Sequence, residues 1–453
     1  MTIYAATPPR LPGTVARIVA TNDLLGSVAA LRTTTGRSGT VDGVAALVAG
    51  ERASGPTLWL DSGDLIGGPL WSLTGQRDWS LFADLGIDAM ALGNHELDEG
   101  IERMLEGQAK LEFPLLCANA DTGLPAICLI EKGPATIGVI GLTSPYVDRL
   151  SPFRGAMHQA TSRVLAAAHQ LRAQGAQWVI VLQHDGVDWW PSPGGIGVSP
   201  QRWADSTHQW QDSVTAVLGG HTLGAWHGYV GQTMYGHAHP FASTALVVDL
   251  TPEGANTRGL VKIPANIEPS RSRTAAAELI LTAEQDIVGG NLESLTTAHG
   301  SPPNHYLPDI VAKAIRQAAG AESAFLPSNG FFTQAPIDGA VAALPSGPVS
   351  RLDLHRLFPF PDDEILIAEI AAHEFDHITK THNRLTDPAH RAGDHQWWNW
   401  HRTRAGLSTS KEHPSTVAIT QFSLPIIEGW VGRRLDIVHG TKGREALEAW
   451  FAR

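Results

Sequence analysis

Short apolar runs recur along the first 270 residues, and each ends in a loop rich in Gly, Asp, Asn and His. These runs cover residues 17–21, 57–64, 90–96, 135–144, 178–186 and 214–221. A short apolar run bounded by turn residues is typical of a buried β-strand with polar residues at its carboxyl end. Helical patterns lie between the runs, for example over residues 162–173. This alternation predicts a layered α/β domain whose site lies at the strand ends.

The pattern changes near residue 270, and this change divides the chain. The segment 271–304 is mixed in character and runs into the loop sequence HGSPPNHY, which is typical of a linker. A second α+β pattern follows as far as the last residue. We therefore predict a first domain at 1–270, a linker at 271–304 and a second domain at 305–453.

Composition and charge limit the kinds of molecule that the protein is expected to bind and the compartment in which it is expected to lie. The 453 residues are 43% hydrophobic and 17% charged, which is ordinary for a globular protein with a large core. The net charge of −12 disfavours a nucleic-acid partner. Two cysteines, Cys117 and Cys128, form no disulfide framework, so we expect a reducing, cytoplasmic location. The first fifteen residues lack the apolar core of a signal peptide, and no run approaches about 18 apolar residues, so no membrane partner is expected.

Several predicted strand ends carry residues suited to a divalent cation. In chain order these residues are Asp23, Asp64, Asn94, His95, His184 and His221. Carboxylate, amide and imidazole ligands suit Mn, Zn, Fe, Co or Mg. Glycine before three of them allows the sharp turns that direct side chains to one point. A lone His at a strand end is usually structural, but compatible ligands at successive strand ends predict a metal site.

The order of these motifs resembles the calcineurin-like metallophosphoesterase superfamily, and within it the 5′-nucleotidases that also act on 2′,3′-cyclic nucleotides. The similar motifs are TND, SGD, GNHE, LQHDG and GGH. The resemblance covers roughly residues 15–250 and 305–435. It implies a β-sandwich flanked by helices, followed by a C-terminal α+β domain of the 5′-nucleotidase type that binds substrate.

The resemblance also implies roles for the motif residues. In the family two metals share a bridging carboxylate, which matches Asp64. The second metal is held by that carboxylate together with the positions of Asn94, His184 and His221. The catalytic His of the family matches His95.

The chain departs from the family at the first metal. Asp23 is kept, but Leu25 and Leu223 occupy the positions of its two other ligands. Leucine has no lone pair to offer a cation, so we expect one divalent metal ion rather than two, with Asp23 orienting water or a substrate hydroxyl. His237 and His239, in the sequence GHAH, remain an alternative source of ligands for a second metal.

The resemblance implies a phosphate pocket in the C-terminal domain. The stretch from Asn329 to Gln334 matches a phosphate-binding motif of the family. Gln334 stands where the family has an arginine. A glutamine cannot provide the charged, bidentate clamp of an arginine, so the phosphate pocket is expected to be weakened.

The base-binding motifs match more fully. Trp397 and Asn399 lie in a match to the motif that holds one base-stacking aromatic, and Phe422 and Glu428 lie in a match to the motif that holds the other. The resemblance therefore implies a nucleobase between Trp397 and Phe422, where stacking contributes about 1–3 kcal/mol per base. The alternative is that both aromatic residues belong to the core.

A competing motif is the formal HExxH over residues 373–377. On a helix its two histidines share one face and bind zinc in metalloproteases. The resemblance instead places this segment at the start of a surface helix, and no third ligand follows in the sequence.

Together these patterns predict a metal-dependent hydrolase of a nucleotide or nucleotide-like phosphoester, with His95 and Asp23 as catalytic residues. Two alternatives remain. One is a diverged enzyme that acts on a nucleoside lacking a phosphate monoester, by elimination or another hydrolysis. The other is a non-catalytic nucleoside-binding protein. The oligomeric state is left open.

Overall fold

Two large β-sheets and two two-stranded ones lie in the N-terminal part of the structure. The structure is a computed structural model that describes residues 2–33, 36–192, 195–222, 224–292, 295–296, 307–326, 343–344, 347–358, 364–386, 406–411 and 414–453. The strands of this part are β1 (Ile3–Tyr4), β2 (Ala16–Thr21), β3 (Arg32–Thr33), β4 (Gly36–Arg37), β5 (Thr57–Asp61), β6 (Ala89–Ala91), β7 (Leu115–Leu116), β8 (Ile127–Lys132), β9 (Ala135–Leu142), β10 (Trp178–Gln183), β11 (Asp188–Ser192), β12 (Gly195–Ser199), β13 (Ala216–Gly219), β14 (Trp226–Val230), β15 (Thr233–His237), β16 (Thr244–Thr251) and β17 (Gly254–Lys262). Its helices are α1 (Val41–Ser54), α2 (Gly68–Thr74), α3 (Ile101–Gln108), α4 (Val147–Leu150), α5 (Ala160–Ala173) and α6 (Gln201–Thr207). Short 3-10 helices span Trp79–Leu85, His95–Leu97 and Gln211–Ser213.

Parallel strands in both large sheets direct their carboxyl ends to the site. The larger sheet has the order β1-β17-β16-β2-β5-β6-β7, and the smaller has the order β14-β15-β13-β10-β9-β8. The two-stranded sheets are β3-β4 and β11-β12. Strands β2, β5, β6 and β7 pair in parallel, as do β9, β10 and β13. In such sheets ligands bind beyond the carboxyl ends of the strands. The loops after β2, β5, β6, β10 and β13 are therefore the ones placed for chemistry.

Alternate residues of the central strands pack in different cores. Ile18 of β2 and Ile180 of β10 lie in the core between the two sheets. Val19 faces the core under α1, and Val179 faces the core under α5. All four are fully buried. Strands covered on both faces read as continuous apolar runs, which explains the sequence pattern. The predicted β-sandwich flanked by helices is confirmed.

The C-terminal part has its own sheet, as predicted for an α+β domain. Its strands are β18 (Ile287–Leu292), β19 (Leu295–Thr296), β20 (Ser323–Leu326), β21 (Ala343–Leu344), β22 (Gly347–Ser350), β23 (Glu364–Glu369), β24 (Gly406–Thr409), β25 (Thr416–Thr420) and β26 (Ile437–Lys442). The helices are α7 (Thr274–Gln285), α8 (Leu307–Ala319), α9 (Arg351–Leu357), α10 (Ala372–Thr386), α11 (Leu424–Val431) and α12 (Gly443–Phe451), with a 3-10 helix at Gln421–Ser423. The five-stranded sheet has the order β24-β20-β25-β23-β26. None of the helices described in either part has the length and apolar character needed to cross a membrane.

The segment predicted as a linker contains paired structure. Strand β18 lies inside the segment 271–304 and pairs antiparallel with β22. Helix α7, in the same segment, buries Ala277 and Ile280 in the core of the N-terminal part. The described part of this segment therefore connects the two parts through both a strand and a helix, and the domain boundaries stay a prediction.

Helix α2, which follows the Asp64 loop, contacts the C-terminal part directly. Ser72 Oγ lies 2.8 Å from Nδ1 of His355 on α9. Arg444 donates to the carbonyl oxygen of Phe358 at 2.9 Å and to Ser72 Oγ at 3.3 Å. These polar contacts connect the C-terminal part to the helix next to the site.

We expect the buried ion pair of Arg17 and Asp249 to stabilise the larger sheet. The two residues pair across β2 and β16, and Arg17 Nε lies 2.7 Å from Oδ1 of Asp249. Arg17→Met leaves the Asp249 carboxylate buried without its main partner, so the free energy of unfolding should fall by about 3 kcal/mol. Urea unfolding followed by tryptophan fluorescence measures this change.

The matched control is Arg103→Met, which removes an exposed arginine paired with Glu106 on α3. It should leave the urea midpoint unchanged. Equal midpoints for Arg17→Met and the wild type would contradict the role assigned to the buried pair.

Candidate metal centre

The four residues predicted as metal ligands lie together at the strand ends. Asp64 follows β5, Asn94 follows β6, His184 follows β10 and His221 follows β13. Ligand atoms of Asp64, His184 and His221 lie within 4.8 Å of one another. His184 Nε2 is 3.1 Å from Oδ2 of Asp64 and 3.2 Å from Oδ1 of Asn94. These side chains therefore surround one point, and their oxygen and nitrogen donors fit a divalent transition-metal cation.

Left-handed backbone conformations shape the loops of the site. Asp23, Asp64 and His221 have φ angles of 48°, 59° and 64°, which are rare for residues other than glycine. Such conformations persist only where the surroundings fix them. Here the loops bond to each other, because Asp23 N donates to Gly63 O and His221 N donates to Asp23 Oδ2, both at 2.8 Å.

Two glycines allow the ligand loops to approach closely. A Cβ at Gly63 would lie 2.8 Å from Nδ1 of His184, and a Cβ at Gly93 would lie 2.1 Å from Oδ1 of Asp64. Either contact is too short for a side chain. With glycine present, Nδ1 of His184 donates to the carbonyl oxygen of Ser62 at 2.7 Å, which directs Nε2 towards the cluster.

Glu96 holds the Asp64 loop and the Asn94 loop together, a role that the sequence analysis missed. Its Oε2 accepts from the backbone N–H groups of Asp64 and Gly93, each at 2.9 Å. Its Oε1 accepts from Ile66 N at 3.2 Å. Burial raises the pKa of Glu96 to about 7. The motif GNHE contained this residue, but its backbone partners depend on the folded turn.

His95 lies beside the cluster and is oriented by Asp98. Its backbone N–H donates to Asp64 Oδ1 at 2.8 Å, and its Nδ1 is 2.7 Å from Asp98 Oδ2. Its Nε2 is 3.9 Å from Asp64 Oδ2. Burial alone lowers the pKa of His95, but the charges of Asp98 and Asp64 raise it to about 9. Both carboxylates therefore favour the protonated form of the imidazole.

Asp98 is a second residue that the sequence analysis missed. It follows the 3-10 helix His95–Leu97, and its position three residues after His95 was the available signal. Carboxylates commonly orient histidines in this way, but a spacing of three in a loop is not specific without the fold.

Asp23 lies next to the cluster. Its Oδ2 accepts from Asn22 Nδ2 and from His221 N, both at 2.8 Å. Burial raises the pKa of Asp23 to about 7, with an opposing effect from His184. Asp23 thus supports the His221 loop through its backbone bond, and its catalytic role stays a prediction.

The position after Asp23 that the resemblance assigns to a ligand of the first metal is apolar. Leu25 is buried with a φ of 48°. A Cβ at Gly67 would lie 3.5 Å from Cδ2 of Leu25 and 3.4 Å from Cγ of His95, so the two side chains flank the same glycine. Leu223 lies outside the described residues.

His237 and His239 are neutral, buried residues in the structure. Val187 N donates to Nε2 of His237 at 3.3 Å, and Nδ1 of His239 is 3.3 Å from Oγ1 of Thr244. Burial lowers the pKa of His237 to about 4 and that of His239 to about 3. Within the described ranges, neither belongs to a cluster of three or more His, Cys, Asp or Glu ligands.

Most of the predicted substrate-binding residues are not described. The residues that lie outside the described ranges are Asn329, Gln334, Trp397 and Asn399. Phe422 lies in the 3-10 helix Gln421–Ser423, but its side chain is outside the described part. Glu428 is described, and its Oε1 accepts from Leu435 N at 2.9 Å. This bond is internal to the C-terminal part, and a substrate role for Glu428 stays a prediction.

The HExxH segment lies on the surface, as the resemblance implied. His373 and His377 are exposed at the start of α10. Glu374 accepts from Ala371 N at 2.8 Å and pairs with Arg433 at 2.7 Å. Its bond to Arg433 lowers the pKa of Glu374 to about 2. Glu374 therefore caps the helix and forms a surface ion pair, which does not favour the protease alternative.

Comparison with known proteins gives three relevant matches. Residues 16–225 match the family model described as calcineurin-like phosphoesterase. The chain is 25% identical over 391 residues to the endonuclease YhcR of Bacillus subtilis, a match that covers 76% of this chain and 31% of that protein. It is 38% identical over 99 residues to the 5′-nucleotidase of Bos taurus, covering 21% of this chain and 16% of that protein. The chain therefore spans about a third or less of the length of these relatives.

A solved structure matches over nearly the whole chain. The 5′-nucleotidase precursor from Thermus thermophilus superimposes with a TM-score of 0.74 at 18% identity, covering 96% of both chains. This identity establishes the fold alone. The resemblance predicted from the strand-end motifs is confirmed: residues 16–225 match the calcineurin-like phosphoesterase family model, and the chain as a whole has the fold of the 5′-nucleotidases.

Proposed function

We propose that the protein is a metal-dependent hydrolase that cleaves a phosphoester of a nucleotide or nucleotide-like small molecule. The observation that carries this proposal is the convergence of Asp64, Asn94, His184 and His221 on one point, with His95 beside it. The phosphoesterase match over residues 16–225 supports the reaction class. The net charge of −12 favours a small substrate over a nucleic acid.

We propose that one divalent cation occupies this point, held by the same four side chains. Leu25 supports a single cation, because it is a buried side chain without a lone pair at a position where the resemblance places a ligand of the first metal. When bound, such a cation supplies Lewis-acid polarisation of a phosphoryl oxygen.

His95 serves as the proton donor in this proposal. Asp98 holds its Nδ1, so Nε2–H is the group that faces the Asp64 side of the site. A protonated imidazole there donates to the departing oxygen as that oxygen gains charge, which typically contributes 10²- to 10⁴-fold in rate.

Asp23 and the C-terminal aromatics complete the proposed site. A carboxyl group with a pKa of about 7 is able to orient a water or a substrate hydroxyl and to accept its proton. Trp397 and Phe422 stack a nucleobase in this proposal, supported by their sequence motifs.

Metal removal is the first test. Chelation should abolish phosphate release from a panel of nucleoside monophosphates, cyclic nucleotides and dinucleotides, and added Mn, Zn, Co or Mg should restore it. His184→Ala should lower kcat at least about 100-fold, because it removes a ligand that lies between Asp64 and Asn94. His377→Ala, at an exposed histidine of α10, is the control and should match the wild type.

Three outcomes of this assay separate the alternatives. Loss of a nucleoside substrate without phosphate release would favour the diverged nucleoside enzyme. Nucleoside binding with no turnover under any metal would favour the non-catalytic alternative. An active His184→Ala variant would show that the metal lies elsewhere.

Metal affinity should rise with pH. In the metal-free protein burial alone lowers the pKa of His184, but Asp64 raises it to about 10. His184 therefore carries a proton at neutral pH, and a cation must displace that proton to bind the neutral imidazole. Affinity should increase about tenfold per pH unit between pH 6 and 9. Chelator competition at several pH values measures the slope, and calorimetry in two buffers counts the protons released. A flat profile without proton release would contradict the assignment of His184.

Metal stoichiometry tests the role of the leucines. The wild type should bind one ion per chain by elemental analysis. Leu25→His combined with Leu223→His places imidazoles at the two positions that the resemblance assigns to ligands of the first metal, and the variant should bind two ions. The paired alanine substitutions at the same positions are the control and should still bind one. Two ions in the wild type would overturn the single-cation proposal.

A further inference from the structure

We propose that Arg77 is a positioning residue that fixes His95 in its proton-donating orientation by holding both Asp98 and the His95 backbone. This inference rests on the proposed function, since it takes His95 as the donor to the departing oxygen.

The contacts of Arg77 converge on His95. Arg77 lies between α2 and the 3-10 helix Trp79–Leu85, and its side chain is 1% exposed. Its Nη1 donates to the carbonyl oxygen of His95, and its Nη2 donates to Oδ2 of Asp98. The same Oδ2 lies 2.7 Å from Nδ1 of His95. One guanidinium thus holds His95 at its backbone directly and at its ring through Asp98.

The ring of Trp71 packs against the guanidinium of Arg77. The guanidinium carbon lies 3.9 Å from the centroid of the Trp71 ring, which belongs to α2. A planar guanidinium that stacks on an aromatic ring while donating to two acceptors has little freedom to move. Lysine has no planar fork, so it keeps the charge and loses this geometry.

The burial of Arg77 argues for a specific role. A buried cation is unfavourable unless it is paired and hydrogen-bonded. Asp98 already has His95 as a partner within 2.7 Å, so the acid does not require an arginine for its charge balance. What Arg77 adds is orientation: it fixes which oxygen of Asp98 faces the imidazole, and it anchors the first residue of the 3-10 helix His95–Leu97.

The loss of rate on removing Arg77 should depend on the leaving group of the ester. A small displacement of a catalytic group is able to cost about 100-fold in rate. Proton donation matters most when the departing oxygen is strongly basic, and little when it is a good leaving group. Loss of Arg77 should therefore slow the hydrolysis of esters with poor leaving groups selectively.

The experiment compares Arg77→Gln with the wild type on phenyl phosphate and p-nitrophenyl phosphate, and on the corresponding diaryl phosphates, with the full chain and saturating divalent metal. We expect kcat to fall about 10-fold or more on the phenyl esters and less than about 3-fold on the nitrophenyl esters, at unchanged KM. Arg77→Lys should recover part of the loss, and Asp98→Asn should show the same selectivity. Arg103→Gln, at an exposed arginine of α3, is the matched control and should behave as the wild type.

An NMR measurement, which needs no catalytic turnover, distinguishes a failure of the positioning role from a failure of the proposed hydrolase function. The Nδ1–H proton of His95, bonded to Asp98, should give a downfield, exchange-protected NMR resonance that His95→Gln removes. Arg103→Gln should retain this resonance, and Arg77→Gln should lose it or accelerate its exchange. If the wild type hydrolyses neither the aryl esters nor any member of the nucleotide panel but the resonance depends on Arg77, the proposed function fails while the positioning role stands.

Two results would overturn the positioning role. One is an Arg77→Gln variant whose leaving-group selectivity and His95 resonance equal those of the wild type. The other is an equal loss on all esters together with weaker metal binding and a lower melting temperature, which indicates a purely structural residue. If Arg77→Gln does not fold, Arg77→Lys and Trp71→Leu, which removes the stacking ring, carry the same comparison.

Discussion

The ion pair between Asp64 and His184 is the interaction on which the site depends, because it joins loops from the two sheets. Asp64 follows a strand of the larger sheet and His184 follows a strand of the smaller one. Their side chains approach to 3.1 Å while almost completely buried. Two opposite charges in this position satisfy each other when no cation is present. In the proposed metal site the same pair would supply two ligands, so the loops already hold these side chains in the arrangement that the proposal requires.

The convergence of the candidate ligands at the strand ends could be predicted from the sequence because each of them follows an apolar run. The carboxyl ends of the parallel strands in the two sheets come together at the site. Asp64, Asn94, His184 and His221 therefore converge there, and each could be found from its local sequence alone. Asp98 and Glu96 could not be assigned in the same way. Their roles are hydrogen bonds within turns, and neither hydrophobic periodicity nor motif spacing records which backbone N–H group or ring nitrogen a carboxylate will meet.

Arg77 shows a second limit of sequence reasoning. It lies 18 residues before His95, in a loop with no recognisable motif. Only the fold brings its guanidinium to Asp98 and places Trp71 behind it. The sandwich and the C-terminal α+β part were predictable because patterns over many residues determine them. The structure of the segment 271–304 was less predictable, because β18 forms a strand by pairing with β22, more than fifty residues later in the chain.

Leu25 has a left-handed backbone conformation at a position that the sequence resemblance assigns to a metal ligand. Its left-handed conformation is fixed by main-chain bonds, with Leu25 N donating to Asp64 O at 2.9 Å and Gly26 N to Leu65 O at 2.8 Å. Neither bond involves the side chain. The main-chain path of this loop therefore does not require a coordinating side chain at residue 25, so the same backbone is able to present either a hydrocarbon or a metal-ligating group at this point.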